Sequence, residues 1–319
     1  MEKETTSLMP LRVGIVGTGA MGTNHLRVAH SLPGIEVTAA NDLDPQKLQA
    51  ALHAHPAPAV DDYRDMPPLV DAVMVSTPTE SHFEIAAFFI ARGRHVLIEK
   101  PLAATLEEAD ELIRLAEKHG VVVGVGHLER FNPAVQWIRP RVKKPLFIEI
   151  QRLGPFSPRS LDVDVVMDLM IHDLDIILDM DPSPIRDIHA VGVPIISRKF
   201  DIANVRLEFE SGLVANITAS RVSRKKTRKL RIFQKNNYVS LDYAKRTVKS
   251  YSLQGAEIRE EIPQIPDREP LAGLWACFRD SLKKQGAGNV GPRAARSALE
   301  LALRISRSIE EKSTHRIPD

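Results

Sequence analysis

A single cysteine, Cys277, in a chain of 319 residues excludes an internal disulfide and fits a reducing compartment such as the cytoplasm. Its context, Leu274-Trp-Ala-Cys-Phe278, is apolar and helical, which suits a small packed residue better than a nucleophile. Long apolar runs are also missing. Nothing approaches the roughly 18 residues that a membrane span needs, so none is expected. The first ten residues are polar and the first apolar run already reads as a strand, so a signal peptide is not expected either. There is no internal repeat and no low-complexity linker. The formal net charge is only +2, which gives no global attraction to nucleic acid. What remains is 43% hydrophobic and 26% charged, an ordinary composition for a globular chain long enough to hold two domains.

Between Leu11 and Asp42 the pattern becomes specific. Leu11-Arg-Val-Gly-Ile-Val-Gly17 reads as a buried parallel strand, and it runs into Gly17-Thr18-Gly19-Ala20-Met21-Gly22 and then a helical pattern to Leu32. In such a turn Gly17 permits the sharp reversal, Gly19 lets backbone N–H groups approach a pyrophosphate, and Gly22 allows close helix–strand packing. The pyrophosphate would rest on the helix N-terminus. A second strand, Ile35–Asn41, ends at Asp42, twenty residues beyond Gly22, where a carboxylate accepts ribose hydroxyls. Leu43 and Asp44 follow, with no arginine, so a 2′-phosphate would meet carboxylates. The expected cofactor is NAD rather than NADP.

Strand and helix patterns then alternate: a helix over Pro45–Ala54, a strand over Leu69–Ser76, a helix over Glu80–Arg92, a strand over His95–Glu99, a helix over Leu106–His119 and a strand over Val121–Gly126. Continuously apolar strands such as Val121-Val-Val-Gly-Val125 suit a parallel sheet covered on both faces. The expectation is an α/β chain with an N-terminal Rossmann, doubly wound domain over residues 1–126. A C-terminal α+β domain on an open, mostly antiparallel sheet is expected over 127–319, with the C-terminal helix free to pack back on the first domain. In that second part a helix is expected from about Asp162 to Asp179. Period-2 strands follow at Ile185–Ile196, Ala203–Phe209, Val214–Val222, Lys229–Gln234 and Tyr238–Asp242, then helices near Leu271–Lys284 and Arg293–Lys312.

Four motifs in order, the glycine fingerprint, Ser76-Thr77-Pro78-Thr-Glu-Ser-His82, Glu99-Lys100-Pro101 and Asp168-Leu-Met-Ile-His172-Asp-Leu-Asp175, resemble the Gfo/Idh/MocA oxidoreductases over nearly the whole chain. The resemblance implies oxidation of a sugar hydroxyl with hydride transfer to nicotinamide. The runs His127-Leu-Glu-Arg130-Phe-Asn132-Pro133 and Arg159–Ile177 look most like the branch that acts on nucleotide sugars. That implies C3 of a UDP-sugar such as UDP-N-acetylglucosamine, in a step associated with the diamino-sugar form of lipid A. It also implies that Ser76, Thr77, Pro78, His82 and Glu99 contact or steady the cofactor, that Lys100 and His172 act on the hydroxyl, and that the protein is a homodimer or homotetramer.

The residue chemistry runs parallel to this. Lys100 lies at the carboxyl end of a parallel strand, where its ammonium can stabilise a developing alkoxide. Asp168 and His172 are four apart on one helix face, with histidine able to take the hydroxyl proton and Asp168 to orient it or hold a sugar hydroxyl. No second histidine has zinc-like spacing, so no metal is expected. His127 stands where the family more often has tyrosine. Thr79 reads as a helix N-cap as readily as a cofactor contact. Arg130 and Asn132 either bind substrate or cap and pack the next helix, and Arg152 and Arg159 either clamp an anion or lie on the surface. Arg221–Arg231 holds seven basic residues in eleven without an interleaved aromatic, and reads first as a solvated hairpin, second as a diphosphate site and last as an RNA contact. Three function classes follow: an NAD-dependent sugar or nucleotide-sugar dehydrogenase (free sugars and inositols included); an internal-redox NAD enzyme, such as an aldose–aldose oxidoreductase or an NAD-dependent glycosidase; and a non-catalytic NAD-binding regulator. The first is favoured, because Lys100 and His172 are both present.

Overall fold

The apolar runs of the N-terminal part assemble into a five-stranded parallel sheet in the computed structural model, which describes residues 9–157, 163–284 and 291–314. The elements are β1 (Leu11–Val16), α1 (Ala20–Ser31), β2 (Ile35–Asn41), α2 (Pro45–Ala54), β3 (Ala72–Val75), α3 (His82–Ile90), β4 (His95–Ile98), α4 (Leu106–His119) and β5 (Val123–Val125), with strand order β2-β1-β3-β4-β5. Every residue of β3 and β5 is buried, as a sheet covered on both faces requires. The chain order reverses between β1 and β3, so the carboxyl ends of those strands open onto a crevice.

Local chemistry sets the helix ends. Asp44 caps α2 by accepting from the backbone N–H of Gln46 and Lys47, with Pro45 at the first helical position. α4 starts with a capping box in which Thr105 and Glu108 satisfy each other's backbone, and it stops at Gly120, whose φ of 63° is left-handed.

The chain divides into two compact units. One comprises Met1–His127 with Leu271–Arg296, and the other Leu128–Pro270 with Ser297–Asp319. The second is built from α5 (Pro133–Ile138), β6 (Pro145–Leu153), a π-helical turn over Val166–Met170, α6 (Ile171–Met180) and strands β7 (Ile185–Val193), β8 (Ile202–Phe209), β9 (Val214–Ser220), β10 (Thr227–Gln234), β11 (Asn237–Asp242), β12 (Thr247–Gln254) and β13 (Glu257–Glu261). Helices α7 (Pro270–Lys284) and α8 (Pro292–Thr314) follow. The eight strands form one sheet in the order β13-β12-β11-β10-β6-β9-β8-β7, antiparallel except for β6 beside β9. The inner face is apolar: Ala203, Val205, Leu207 and Phe209 of β8 pack with Leu174 and Ile177 of α6 and Ile305 of α8, while Asn204 and Arg206 alternate outward. The outer face carries an aromatic row, Phe147, Phe233, Tyr238 and Tyr251, with successive ring centroids 5.6, 4.7 and 5.6 Å apart.

Three expectations change. Strands β12 and β13 extend the sheet beyond the predicted elements. The basic run is not a hairpin, because β9 and β10 lie on opposite sides of β6, and the 221–226 connection therefore crosses the end of β6, held by Gly154 N–H to Ser220 O at 2.8 Å and Ser223 N–H to Gly154 O at 2.9 Å. Finally, the turn that carries Asp168, Val166–Met170, is wound as a π-helix, and the α-helix with His172 begins only at Ile171. The predicted start of that helix, Asp162, lies outside the described residues, as does Arg159.

Candidate active site

In the first unit the fingerprint glycines have separable physical roles. Gly17 has a φ of 89°, and a Cβ there would come within 2.7 Å of the Ser76 carbonyl. A Cβ on Gly22 would lie 1.8 Å from the Gly17 carbonyl oxygen, so only glycine lets α1 approach β1. Gly19 differs, because a Cβ there would meet nothing within 4 Å. The protein's own packing does not demand that glycine, whereas a ligand laid against the backbone would. Gly19 is also the N-cap of α1, with no side-chain cap and no acidic residue in the first turn, so the positive helix end is left for an anion.

Gly17 and Gly19 line a cleft of about 800 Å³ with Asp42, Ser76, Thr77 and Pro78. Asp42 Oδ2 accepts from Thr18 N–H at 2.6 Å and Thr18 Oγ1 at 3.0 Å, and Oδ1 accepts from Asp44 N–H at 2.9 Å. The carboxylate is thereby fixed with lone pairs to spare for hydroxyl donors. Ser76 Oγ donates to the Gly17 carbonyl at 2.6 Å, tying the two loops that flank the crevice. The cleft suits a dinucleotide: glycine-lined backbone, a free helix N-terminus and a fixed carboxylate. It also holds Lys47 and Arg64, which adjacency to Asp42 did not reveal. Both are already paired, Lys47 with Asp44 at 3.4 Å and Arg64 with Glu84 at 3.1 Å.

Beyond the cleft, His82 is buried, and its ring nitrogens lie 2.9 Å from the carbonyl oxygens of Pro101 and Thr77. It joins the Ser76–Pro78 loop to the Lys100–Pro101 segment, whose peptide bond is cis. Burial holds this ring below the ordinary histidine value, against the pull of the two carbonyls. Thr79 opens a short 3₁₀ turn and caps no helix, a correction to the N-cap reading. Glu99 is nearly buried, and its carboxylate accepts from His25 Nε2 at 2.8 Å and from Lys100 N–H at 3.2 Å. Burial would raise this carboxyl, but His25 and Lys100 outweigh it and hold it below the usual glutamate value. Gly126 leaves room for it, since a Cβ there would stand 3.1 Å from the carboxyl. Lys100 is half-buried, and His127 is buried at the end of this unit.

In the second unit Asp168 and His172 are half-buried, Asp168 within the π-turn and His172 in the first turn of α6. Around them lies a charge network that sequence reasoning missed. Arg152, only 3% exposed, holds Asp173 through two hydrogen bonds of 2.7 Å and reaches Glu129 at 3.1 Å. Burial opposes the Arg152 charge, yet Asp173 and Glu129 raise its pKa overall. Burial likewise raises Asp173, with Arg152 pulling the other way. Arg130 is bidentate to Asp175 at 2.7 Å and touches Asp179 at 3.2 Å, while Asn132 caps α5 by accepting from Ala134 N–H at 3.1 Å. Arg221, read as part of a solvated run, is buried against Asp201 at 2.8 Å. Asp201 sits far below the ordinary aspartate value, because three backbone N–H groups and Arg221 overcome its burial. Among the described residues no group of three or more His, Cys, Asp or Glu could hold a metal, and no helix is long and apolar enough to cross a membrane.

Comparison with known proteins adds independent findings. Residues 11–127 match the family described as an oxidoreductase family with an NAD-binding Rossmann fold, and residues 147–238 match the GFO/IDH/MocA C-terminal domain. The chain is 35% identical over 312 residues to UDP-N-acetylglucosamine 3-dehydrogenase of Acidithiobacillus ferrooxidans, covering 95% of this chain and 98% of that protein. A crystal structure of that dehydrogenase superposes with a TM-score of 0.90 at 33% identity, over 95% of this chain and 99% of the other. An inositol 2-dehydrogenase of Acidothermus cellulolyticus is 29% identical over 57% of this chain and 56% of its own length. Levoglucosan dehydrogenase in complex with NADH shares the fold, with a TM-score of 0.86 at 18% identity over 95% of this chain and 98% of its own.

Proposed function

This chain belongs to the GFO/IDH/MocA oxidoreductase family, and on that premise we propose that it oxidises C3 of UDP-N-acetylglucosamine to the ketone with NAD. Likeness along nearly the whole length of a dehydrogenase of that name carries this reading, against the half-length match to an inositol dehydrogenase. Bound NAD would supply the hydride acceptor. Gly17 to Gly22 would seat its pyrophosphate and Asp42 its adenosine ribose, while Ser76, Thr77, Pro78 and Glu99 would lie along the nicotinamide half. The fixed carboxylate of Asp42 favours NAD over NADP, and the partners that occupy Lys47 and Arg64 reinforce that preference.

His172 takes the proton of the hydroxyl as the carbon is oxidised. Lys100 donates to the same oxygen and stabilises its developing negative charge. Asp168 orients His172 or a neighbouring sugar hydroxyl. His127 contacts substrate, whereas Arg130 and Asn132 act through the ion pair and helix cap they form. The product ketone is the kind of compound an aminotransferase consumes, consistent with a step toward a diamino-sugar lipid A. The lone cysteine fits a cytoplasmic enzyme, and the aromatic row on the outer sheet face suits a homo-oligomeric interface.

The inositol dehydrogenase likeness supports one second reading, oxidation of a free cyclitol or sugar. Purified protein with NAD, offered UDP-N-acetylglucosamine, UDP-glucose and myo-inositol in turn, separates the two by NADH absorbance. An aminotransferase with its amino donor is added to draw off the ketone. Turnover is expected with UDP-N-acetylglucosamine and absent from Lys100→Ala and His172→Ala; turnover with myo-inositol alone would transfer the assignment to the second reading.

A further inference from the structure

Arg152 and Arg228 are opposed in the register of β6 and β10, so two guanidinium groups stand as cross-strand neighbours on the inner side of the sheet. Like charges in that relation destabilise a sheet unless something compensates. Arg152 is compensated by Asp173 and Glu129. Arg228 is half-buried, and its guanidinium makes no hydrogen bond or ion pair among the described residues, although its backbone carbonyl accepts from Tyr243 N–H at 2.9 Å. Its burial and the neighbouring Arg152 weaken its hold on the proton, against the more distant Glu129, Asp173 and Asp168. An arrangement of this kind is a cost to the folded chain that a bound anion would remove.

The place where an anion would sit is also present. Arg152 and Arg228 line a pocket of about 310 Å³ with Lys226, Arg221 and Asp168. Arg221 is spent on Asp201, so Arg228 in β10 and the exposed Lys226 just before that strand supply the available positive charge. The crossover over the end of β6 brings them there. A hairpin would have left both on a free edge.

Resting on the nucleotide-sugar reading above, we propose that this pocket is an anion subsite for the phosphate groups of the substrate, with Arg228 and Lys226 as its ligands and Asp168 turned to a sugar hydroxyl. Arg228 presents a planar fork that matches phosphate oxygens, and Lys226 a mobile point charge. A carboxylate on the same wall disfavours small free anions and suits a ligand that carries phosphate and hydroxyl together.

The test is isothermal titration of the NAD-loaded protein with UDP, N-acetylglucosamine 1-phosphate and inorganic pyrophosphate, none of which needs turnover. Wild type is expected to bind UDP, more weakly at higher salt. Arg228→Met and Lys226→Ala should each raise the UDP Kd about tenfold or more, and Arg228→Lys by less. NAD affinity, read on the same samples, should be unchanged and shows that the variants are folded. Equal Arg228 dependence for N-acetylglucosamine 1-phosphate and UDP supports the subsite and makes one phosphate sufficient. UDP binding that ignores both substitutions overturns it, and so does failure of all three probes to bind. Arg228-dependent UDP binding without NADH formation from UDP-N-acetylglucosamine would sink the proposed reaction and leave the subsite standing.

Discussion

Trp275 donates its indole N–H to Nδ1 of His25 at 3.0 Å, a bond between residues 250 positions apart. Indole is a donor only, so Nδ1 must be the acceptor and Nε2 must carry the proton that His25 gives to Glu99. Trp275 and His25 are both fully buried, and the chain ends at the carboxylate beside Lys100. Trp275→Phe should therefore cost about 1–3 kcal/mol in denaturant unfolding, from the lost bond and the buried acceptor left behind. It should also lower kcat more than it raises KM, because Glu99 loses its fixed orientation. A change in stability with unaltered kinetics would confine the bond to packing.

Glu99 sets an acid limit. Its folded-state pKa lies below the ordinary value, so its stabilising contribution is present above the unfolded pKa, about 4.3, and is lost as pH falls through the folded value. Unfolding free energy measured from pH 7 down to pH 3 should fall less steeply for Glu99→Gln than for wild type. Parallel curves would remove Glu99 from the acid transition.

Gly19 and Gly22 should separate ligand from fold. Gly22→Ala forces a Cβ to 1.8 Å from a backbone oxygen, so the variant should be strongly destabilised or fail to fold. Gly19→Ala meets no protein atom within 4 Å and should keep its melting temperature within a few degrees, while NAD affinity falls about tenfold or more. Intact NAD binding in folded Gly19→Ala protein would argue against the cleft as the pyrophosphate site.

Cofactor choice should move with Asp42. Asp42→Asn removes the charge but keeps the shape, and is expected to lower kcat/KM for NAD about tenfold while raising it for NADP. An unchanged ratio of the two would show that Asp42 serves only to hold Thr18.

Removing one partner of the buried pair should be worse than removing both. Arg152→Met leaves Asp173 charged and buried and should cost about 3–5 kcal/mol, whereas Arg152→Met combined with Asp173→Leu should recover much of that loss.

Features carried by adjacent residues were legible in the sequence. The ranges expected for the helices Pro45–Ala54 and Leu106–His119 match those of α2 and α4, whose caps, Asp44, Thr105 with Glu108, and Gly120, are sequence neighbours of the helices they end. The glycine turn and Asp42 were readable for the same reason. β13 was not, since Glu-Ile-Arg-Glu-Glu is exposed throughout and has no apolar side to alternate. Nor was the crossover at 221–226, because a basic stretch between two strands looks the same whether they pair or straddle a third. The Arg152–Asp173–Glu129 network draws on β6, α6 and the turn before α5, and the His25–Trp275 bond on opposite ends of the chain. Such contacts are fixed by packing, and no local spacing records them.

The central claim, that the hydride leaves C3 of a nucleotide sugar, is met most directly by isotope tracing. UDP-N-acetylglucosamine deuterated at C3 would be turned over with NAD and a coupled aminotransferase, and the reduced cofactor weighed by mass spectrometry. Reduced cofactor one mass unit heavier than that from unlabelled substrate is the predicted result. Unlabelled NADH formed at a comparable rate would place the oxidation at another carbon and contradict the account.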